Sequence, residues 1–309
     1  LNPAGPQASR IGSLWWAMLG TSTAVWIVVV VALIWALIRG HSRDVADQSD
    51  GVNERLKRPV IAAVGVTVLI LVAFLVYDVS TGSALASLPQ QRALRIKVTG
   101  HQWWWGVEYI DPVPGNRVTT ANEIHIPVGE PIQLIGVSDD VIHSFWIPNL
   151  AGKKDLIPGH VTATWFQADK PGIYRGQCAE FCGHQHANMA LTVFAESRTE
   201  FNAWYNSQLE PASPPGNQES ATGEKVFMTR GCPLCHTVGG TLALGRVGPP
   251  LTHIGSALTL AAGTLANTRG NLSGWIVDPQ QIKPGVKMPP NDLSGPDLRS
   301  LVTYLESLK

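Results

Sequence analysis

The chain has 309 residues, about two domains at roughly 150 residues each, with 45% hydrophobic side chains and 23 basic groups balanced by 23 acidic ones. A disordered chain needs the opposite balance, little apolar content and high net charge. A nucleic-acid binder needs a basic cluster, which this neutral chain lacks. Four Cys are too few for a disulfide scaffold, so their spacing is read position by position. Residues 1–78 carry six basic against five acidic groups, residues 79–219 nine against thirteen, and residues 220–309 eight against five. An acidic middle beside a basic end suits two modules that dock, and equally suits scatter in surface charge.

Leu14–Ile38 is uncharged and apolar apart from a few Thr, Ser and Gly. As a helix it reaches ~37 Å, enough for a hydrocarbon layer of ~30 Å. Pro59–Tyr77 is a second uncharged run, near the lower limit for a span. The first run is too long for the apolar core of a signal peptide and no small-residue cleavage site follows it. A leader removed from ahead of Leu1 is compatible with the sequence. Between the runs stand Arg39, Arg43, Arg55, Lys57 and Arg58, against Arg10 alone before the first. The positive-inside rule puts that loop in the cytoplasm, with both termini and everything after Asp78 on the periplasmic or extracellular side. Neither run holds Asp, Glu, Lys, Arg or His, so the hairpin reads as an anchor and not a proton pathway.

Residues 94–196 read as short β-runs punctuated by Pro, Gly, Asn and Asp: Leu94–Thr99, Trp103–Tyr109, Glu123–Ile126, Pro131–Val137, Val161–Ala168, Gly172–Gln177 and Leu191–Ala195. Such spacing predicts an all-β sandwich or Greek-key barrel. An amphipathic helix over Arg198–Leu209 closes it, and Glu210–Ser220 reads as a flexible linker. The domain boundaries expected are 1–78 for the hairpin, 79–209 for the β domain, 210–220 for the linker and 221–309 for the last domain.

Between two of these β-runs lies Cys178-Ala-Glu180-Phe-Cys182-Gly-His184-Gln-His186-Ala-Asn-Met189. Thiolate and thioether favour cuprous copper and imidazole accepts both oxidation states, so the set points to a soft transition metal. Two Cys at i, i+4 on a loop can bridge two metal ions, and His143, at a strand end in Val141-Ile-His-Ser-Phe145, is the best placed further ligand. A disulfide between Cys178 and Cys182, a structural zinc site and a copper chaperone are the alternatives. His101, His125, His160 and His184 read as surface or hydrogen-bonded rings.

Cys232-Pro-Leu-Cys235-His236 is Cys-x-x-Cys-His, the attachment motif of a c-type haem. Two thiols on one turn add to the haem vinyls, and the next imidazole then sits under the iron. A thioredoxin-like motif would need a βαβ context and leaves His236 unexplained. Helices are expected over Ala221–Arg230 and Gly295–Leu308, with Gly248-Pro-Pro250 between. For the sixth iron ligand Met288, in Lys287-Met-Pro-Pro290, is preferred: Met18 lies in the first span, Met189 in the copper loop and Met228 too close ahead of the motif. His253 is the competitor. A Met/His pair also raises the reduction potential, as suits an electron donor.

The Cys-x-Glu-x-Cys-Gly-x-x-His-x-x-Met run, His143, Gly100-His-Gln-Trp103-Trp-Trp105 and the two apolar runs together resemble subunit II of haem–copper cytochrome c oxidases, over nearly all of residues 11–208. With the haem motif, the whole chain resembles the caa3-type form that carries a fused cytochrome c. The resemblance implies a two-helix transmembrane hairpin, an all-β cupredoxin domain holding the dinuclear copper centre CuA, and an all-α class I cytochrome c domain. It implies that Cys178 and Cys182 bridge two coppers, that His143 and His186 bind one each, and that Met189 and the Glu180 carbonyl are weak ligands. The Glu180 carboxylate would face a magnesium ion shared with subunit I. Trp103 matches the aromatic through which electrons enter from cytochrome c; without the likeness, Trp103–Trp105 read as core and interface aromatics. The implied haem c ligands and anchors are Cys232, Cys235, His236 and Met288. The implied function is to pass electrons from cytochrome c or an upstream quinol-oxidising complex through haem c and CuA to the haem a and oxygen-reducing centre of subunit I. Subunit III and membrane lipid are further partners, a bacterial plasma membrane is the location, and nucleic acid is not a partner. A membrane-anchored copper and haem carrier outside any oxidase is the alternative. One departure stands out: family members often have Glu followed three residues later by Trp before the second span, whereas Glu54 is followed by Arg55, Leu56 and Lys57.

Overall fold

A computed structural model describes residues 2–40, 50–86 and 93–309, with residues 50–56 described by backbone alone. The chain divides into two compact units: residues 9–87, and a second made of the first eight residues with 88–309.

The first unit consists of α1 (Pro6–Gly40, which starts in the second unit) and α2 (Asp50–Ala86). Both are long and apolar enough to cross a membrane by length and composition, and neither apolar window is buried. Trp26, Val28, Leu37, Ile61 and Leu69 are all exposed, as side chains facing lipid would be. The sequence expected spans over 14–38 and 59–77; the helices extend past both ends of each. Pro59 lies inside α2 and does not open it, and the helix continues past Asp78 to Ala86. Arg43 lies outside the described residues, as do the side chains of Glu54 and Arg55.

The second unit begins with the β domain. It contains β1 (Leu94–His101), β2 (Trp104–Tyr109), β3 (Val118–Ala121), β4 (Glu123–Pro127), β5 (Ile132–Ser138), β6 (His143–Phe145), β7 (Lys154–Leu156), β8 (Thr162–Phe166), β9 (Gly172–Gln177) and β10 (Ala190–Glu196), closed by α3 (Arg198–Leu209). One sheet has the order β3-β2-β1-β5-β8 and the other β4-β10-β9. The β1–β5 and β4–β10 pairs are parallel, so strands distant in sequence are brought side by side, as the expected cupredoxin sandwich requires. Period-two burial drives the assembly. Ile96 and Val98 of β1, Trp105, Val107 and Tyr109 of β2, and Ile132 and Leu134 of β5 are all buried in one core.

That core is closed at one end by α3, whose first turn is held by a reciprocal cap between Ser197 and Glu200. The Tyr109 hydroxyl donates to the His125 carbonyl at 2.9 Å and accepts from the His125 N–H at 2.7 Å. The His125 ring stacks between Phe194 and Trp204, with centroids 4.4 and 4.0 Å away. Burial lowers its pKa to about 3, so the ring is neutral at ordinary pH and Nδ1–H donates to Glu196 at 2.6 Å.

The last part of the unit contains α4 (Gln218–Thr229), the two-residue strands β11 (Thr259–Leu260) and β12 (Leu265–Ala266), α5 (Arg269–Val277), α6 (Pro279–Ile282) and α7 (Gly295–Ser307). Helix α4 starts three residues before the position the sequence suggested, because Asn217 caps it by accepting from the Ser220 N–H. Residues 218–220 therefore belong to the helix and not to the expected 210–220 linker. Ala212 N–H also donates to the Gly239 carbonyl, so the connection is attached at its middle. Helices α4 and α7 cross where Gly223 sits: a Cβ there would lie 1.9 Å from the Ser300 carbonyl oxygen. A second core, centred on Phe227, Leu301 and Tyr304, fills the space behind this crossing.

Candidate metal centre and haem crevice

The loop between β9 and β10 places the sulfur ligands. Cys178 follows directly on β9, and its N–H donates to the Met189 carbonyl at 2.9 Å, closing the loop on itself. The Gln177 side chain donates to the carbonyls of His186 and Met189, bracing the loop from inside. Ala179 N–H donates to the Ser144 carbonyl, which fixes the loop against β6 and brings His143 to it.

Five side chains and one carbonyl converge. The Cys178 and Cys182 sulfurs are 3.8 Å apart, far beyond the ~2.05 Å of a disulfide bond. His143 Nδ1 is 3.8 Å from Cys178 Sγ, and His186 Nδ1 is 3.6 Å from Cys182 Sγ. Met189 Sδ is 3.9 Å from Cys182 Sγ, and the Glu180 carbonyl oxygen is 3.3 Å from Cys178 Sγ. Cys178, Cys182, His143 and Met189 are buried. The thiols act as a pair: the hydrogen bond between them pulls Cys178 down to about 3 and pushes Cys182 up. Two thiols with two imidazoles and a thioether in a largely buried pocket suit soft-metal binding.

His143 is oriented by a residue the sequence reading missed. Its Nε2–H donates to Asp140 Oδ1 at 2.8 Å, leaving Nδ1 free towards the sulfur. Burial works against the Asp140 carboxylate, but hydrogen bonds from His143, Val141 N–H and Gln102 N–H outweigh it and hold its pKa at about 2. The His143 ring lies against Gly100: a Cβ there would meet ring Cδ2 at 2.7 Å and Cγ at 2.9 Å. Gly100 was visible in the Gly-His-Gln-Trp run, but its partner, 43 positions away, was not.

Trp103 is 7% exposed. Its Nε1–H donates to the Cys182 carbonyl at 2.9 Å, and Gln102 Nε2 donates to the same oxygen at 2.8 Å. On its other side a Cβ on Gly285 would touch the indole at 3.4 Å. The expected doorway to external cytochrome c is thus covered by the chain's own last domain. Trp105 is fully buried core, whereas Trp104 stacks on His101 at 4.2 Å. His160 and His184 are exposed, and the Glu180 carboxylate lies 3.6 Å from Lys153 Nζ.

The Cys-x-x-Cys-His run occupies the wall of a cavity of about 860 Å³ that is also lined by Met288, His253, Phe227, Trp275 and Ile276. Cys232 and Cys235 are free thiols on one 3₁₀ turn. His236 Nδ1–H donates to the Pro249 carbonyl at 2.7 Å, which leaves Nε2 for a ligand. Gly248 makes room for that ring, since a Cβ would meet it at 2.6 Å. Both His253 nitrogens are buried, and among the described residues neither has a hydrogen-bond partner. A mostly apolar cavity with two thiols, an oriented imidazole and a thioether in its lining fits a covalently held haem. Met288 and His253 both line it, as the two candidates for the sixth ligand.

Comparison with known proteins finds a family for each of the two regions that hold these residues. The family described as "Cytochrome C oxidase subunit II, periplasmic domain" matches residues 94–196, and the family "Cytochrome c" matches residues 220–309. Cytochrome c oxidase subunit 2 of Alkalihalophilus pseudofirmus is 34% identical over 318 residues, covering 100% of this chain and 90% of that protein. The Bacillus subtilis protein of the same name is 30% identical over 228 residues, covering 70% of this chain and 63% of that protein. A crystal structure of the periplasmic domain of subunit II of cytochrome oxidase from Bradyrhizobium japonicum is 32% identical, with a TM-score of 0.36, covering 40% of this chain and 96% of that one.

Proposed function

This chain belongs to the cytochrome c oxidase subunit II family and carries a cytochrome c domain, and from that premise we propose that it is the subunit through which electrons enter a caa3-type oxidase. As subunit II of a haem–copper oxidase it is part of an oxidoreductase complex with subunit I, anchored in a membrane by its two apolar helices. In the proposed route, electrons from an external donor pass by covalent haem c and CuA to the haem a and oxygen-reducing centre of subunit I, with subunit III completing the assembly. When bound, the copper pair and the haem supply one-electron redox chemistry, and the chain supplies their ligands and separation.

The observation that carries the copper assignment is the unbonded sulfur pair, 3.8 Å apart, with an imidazole nitrogen beside each sulfur. Cys178 and Cys182 are the proposed bridges, His143 and His186 the terminal ligands, and Met189 and the Glu180 carbonyl the weak ones. A ligand set fixed by the fold would change little between oxidation states. Asp140, Gln177 and Gln102 keep that shell in place. The half-exposed Glu180 carboxylate, paired with Lys153 at 3.6 Å, is the proposed magnesium ligand at the subunit I surface. In the haem crevice Cys232 and Cys235 would anchor the haem, and His236 and Met288 would hold its iron.

Replacing Cys178 by Ser in the full chain tests the reading. The expected result is loss of the near-infrared band of mixed-valence copper with the c-type α-band intact. Loss of both bands together, or of neither, contradicts two independent centres.

A further inference from the structure

The cytochrome c domain does not hang free on its linker; it is seated on the copper loop, and one side chain concentrates the contacts. Lys283, at the C-terminal end of α6, is 1% exposed. Its ammonium donates to three backbone carbonyls: Trp103 at 2.9 Å, Asn188 at 2.6 Å and Ala261 at 2.8 Å. An ammonium has three donors and no acceptor, so the site is saturated. Two of the acceptors belong to the β domain. One is the residue before Met189, and the other is the tryptophan bonded to the Cys182 carbonyl.

The same junction is stitched by Gln185 Nε2 donating to the Pro284 carbonyl at 2.9 Å, and by Ala190 N–H donating to the Ala262 carbonyl at 3.0 Å. Gly285, with φ of +89°, lets the chain pass flat against the Trp103 indole. Five residues after Lys283 comes Met288, and Gln280 ties this stretch together by donating to the carbonyls of Val286 and Met288. One short loop therefore has its first residue bonded to the copper loop and its last in the haem crevice. Among the described residues of 94–309 the ion pairs all run within one domain. The acidic and basic halves are not what joins them.

We propose that Lys283 is a positioning residue for electron transfer within the chain: its ammonium latches the Met288 loop onto Trp103 and Asn188 and so fixes the haem crevice against the copper loop. This rests on the reading of the two sites as CuA and haem c. The latch makes transfer independent of a diffusive search by a tethered domain, because the docked arrangement is the resting one.

The test uses the full, metal- and haem-loaded chain and its Lys283→Met variant, which keeps the stem and removes the donors. Rapid reduction at haem c followed by copper bleaching reads the transfer rate per loaded molecule. Amide hydrogen exchange reads the junction. The variant is expected to keep both absorption bands, to transfer at least about tenfold more slowly, and to lose protection at Ala190; a hydrogen bond to a charged group is worth roughly a factor of ten in a docking equilibrium. A lysine needed only for folding would lower yield and leave the rate per loaded molecule unchanged, and that result overturns the proposal. Should the variant fail to fold, the unsubstituted chain decides: protection of the Ala190 amide supports the latch and free exchange overturns it. Absence of either absorption band in the unsubstituted chain would instead count against the site assignments.

Discussion

Replacing Gly100 by Ala puts one methyl group where the His143 ring lies. Gly100 is on β1, opposite Trp105 and Ser138 in the sheet, and its φ is in the range any residue adopts, so the effect is steric and not conformational. The new Cβ would lie 2.7 Å from ring Cδ2 and 2.9 Å from Cγ, where ordinary contact begins near 3.4 Å. The ring must therefore give by about half an ångström or more. It is fully buried and held at Nε2 by Asp140, so yielding means loosening that bond or pushing Nδ1 away from Cys178. Overpacking of this kind costs about 1–3 kcal/mol, and ligand displacement on that scale weakens the metal site. Thermal unfolding and copper content of Gly100→Ala, compared with Gly115→Ala, whose Cβ meets nothing within 4 Å, separate the two costs. The expected outcome is a lowered melting temperature and a shifted or weakened near-infrared copper band for the first variant, with the haem α-band unchanged. Equal stability and identical copper spectra for the two variants would refute the packing argument.

Asp140→Ala removes the carboxylate that orients His143, and copper affinity should fall about 10–100-fold, measured by competition with a chelator. Gly223→Ala forces α4 off the Ser300 carbonyl and should cost at least ~1–3 kcal/mol by thermal unfolding, with loss of haem retention as the crevice opens. His125 has a folded-state pKa of about 3 against an unfolded value near 6.5. The unfolded chain therefore binds the extra proton first, stability is intact above pH ~6.5, and it falls as the pH drops from there towards 3, by at most ~1.4 kcal/mol per pH unit. The double variant His125→Phe with Glu196→Gln should flatten this part of the pH–stability curve, and an unchanged slope would remove His125 as its source.

Local signals carried much of the architecture. Short β-runs punctuated by Pro, Gly, Asn and Asp located β2, β5, β9 and β10 to within a residue or two, and the amphipathic run over 198–209 coincides with α3. Two compact motifs, 178–189 and 232–236, contain most of the proposed ligands because each set is built on a single turn of chain. Strands β6 and β7 were not legible: at three residues each they show no alternation, and they exist because Ser144 and Asp155 face each other across a hairpin with 2.7 Å between their side-chain oxygens. The burial of Trp103 and the role of Lys283 were equally hidden. Both depend on residues up to 180 positions apart meeting, and a lysine in a Pro-Gly loop looks like any solvated charge until its acceptors are known. Nor does the polar, Pro-rich composition of 210–220 reveal that Ala212 has a partner at Gly239.

On the proposed reading, sulfurs 178 and 182 hold metal between them and not a bond to each other. Elemental analysis of the natively isolated full chain, with copper counted against covalent haem and free thiols counted after metal removal, tests it directly. The expected result is two coppers and one haem per chain, with both thiols titratable once copper is chelated. One copper per haem, or a Cys178–Cys182 disulfide in metal-free protein as isolated, would contradict it.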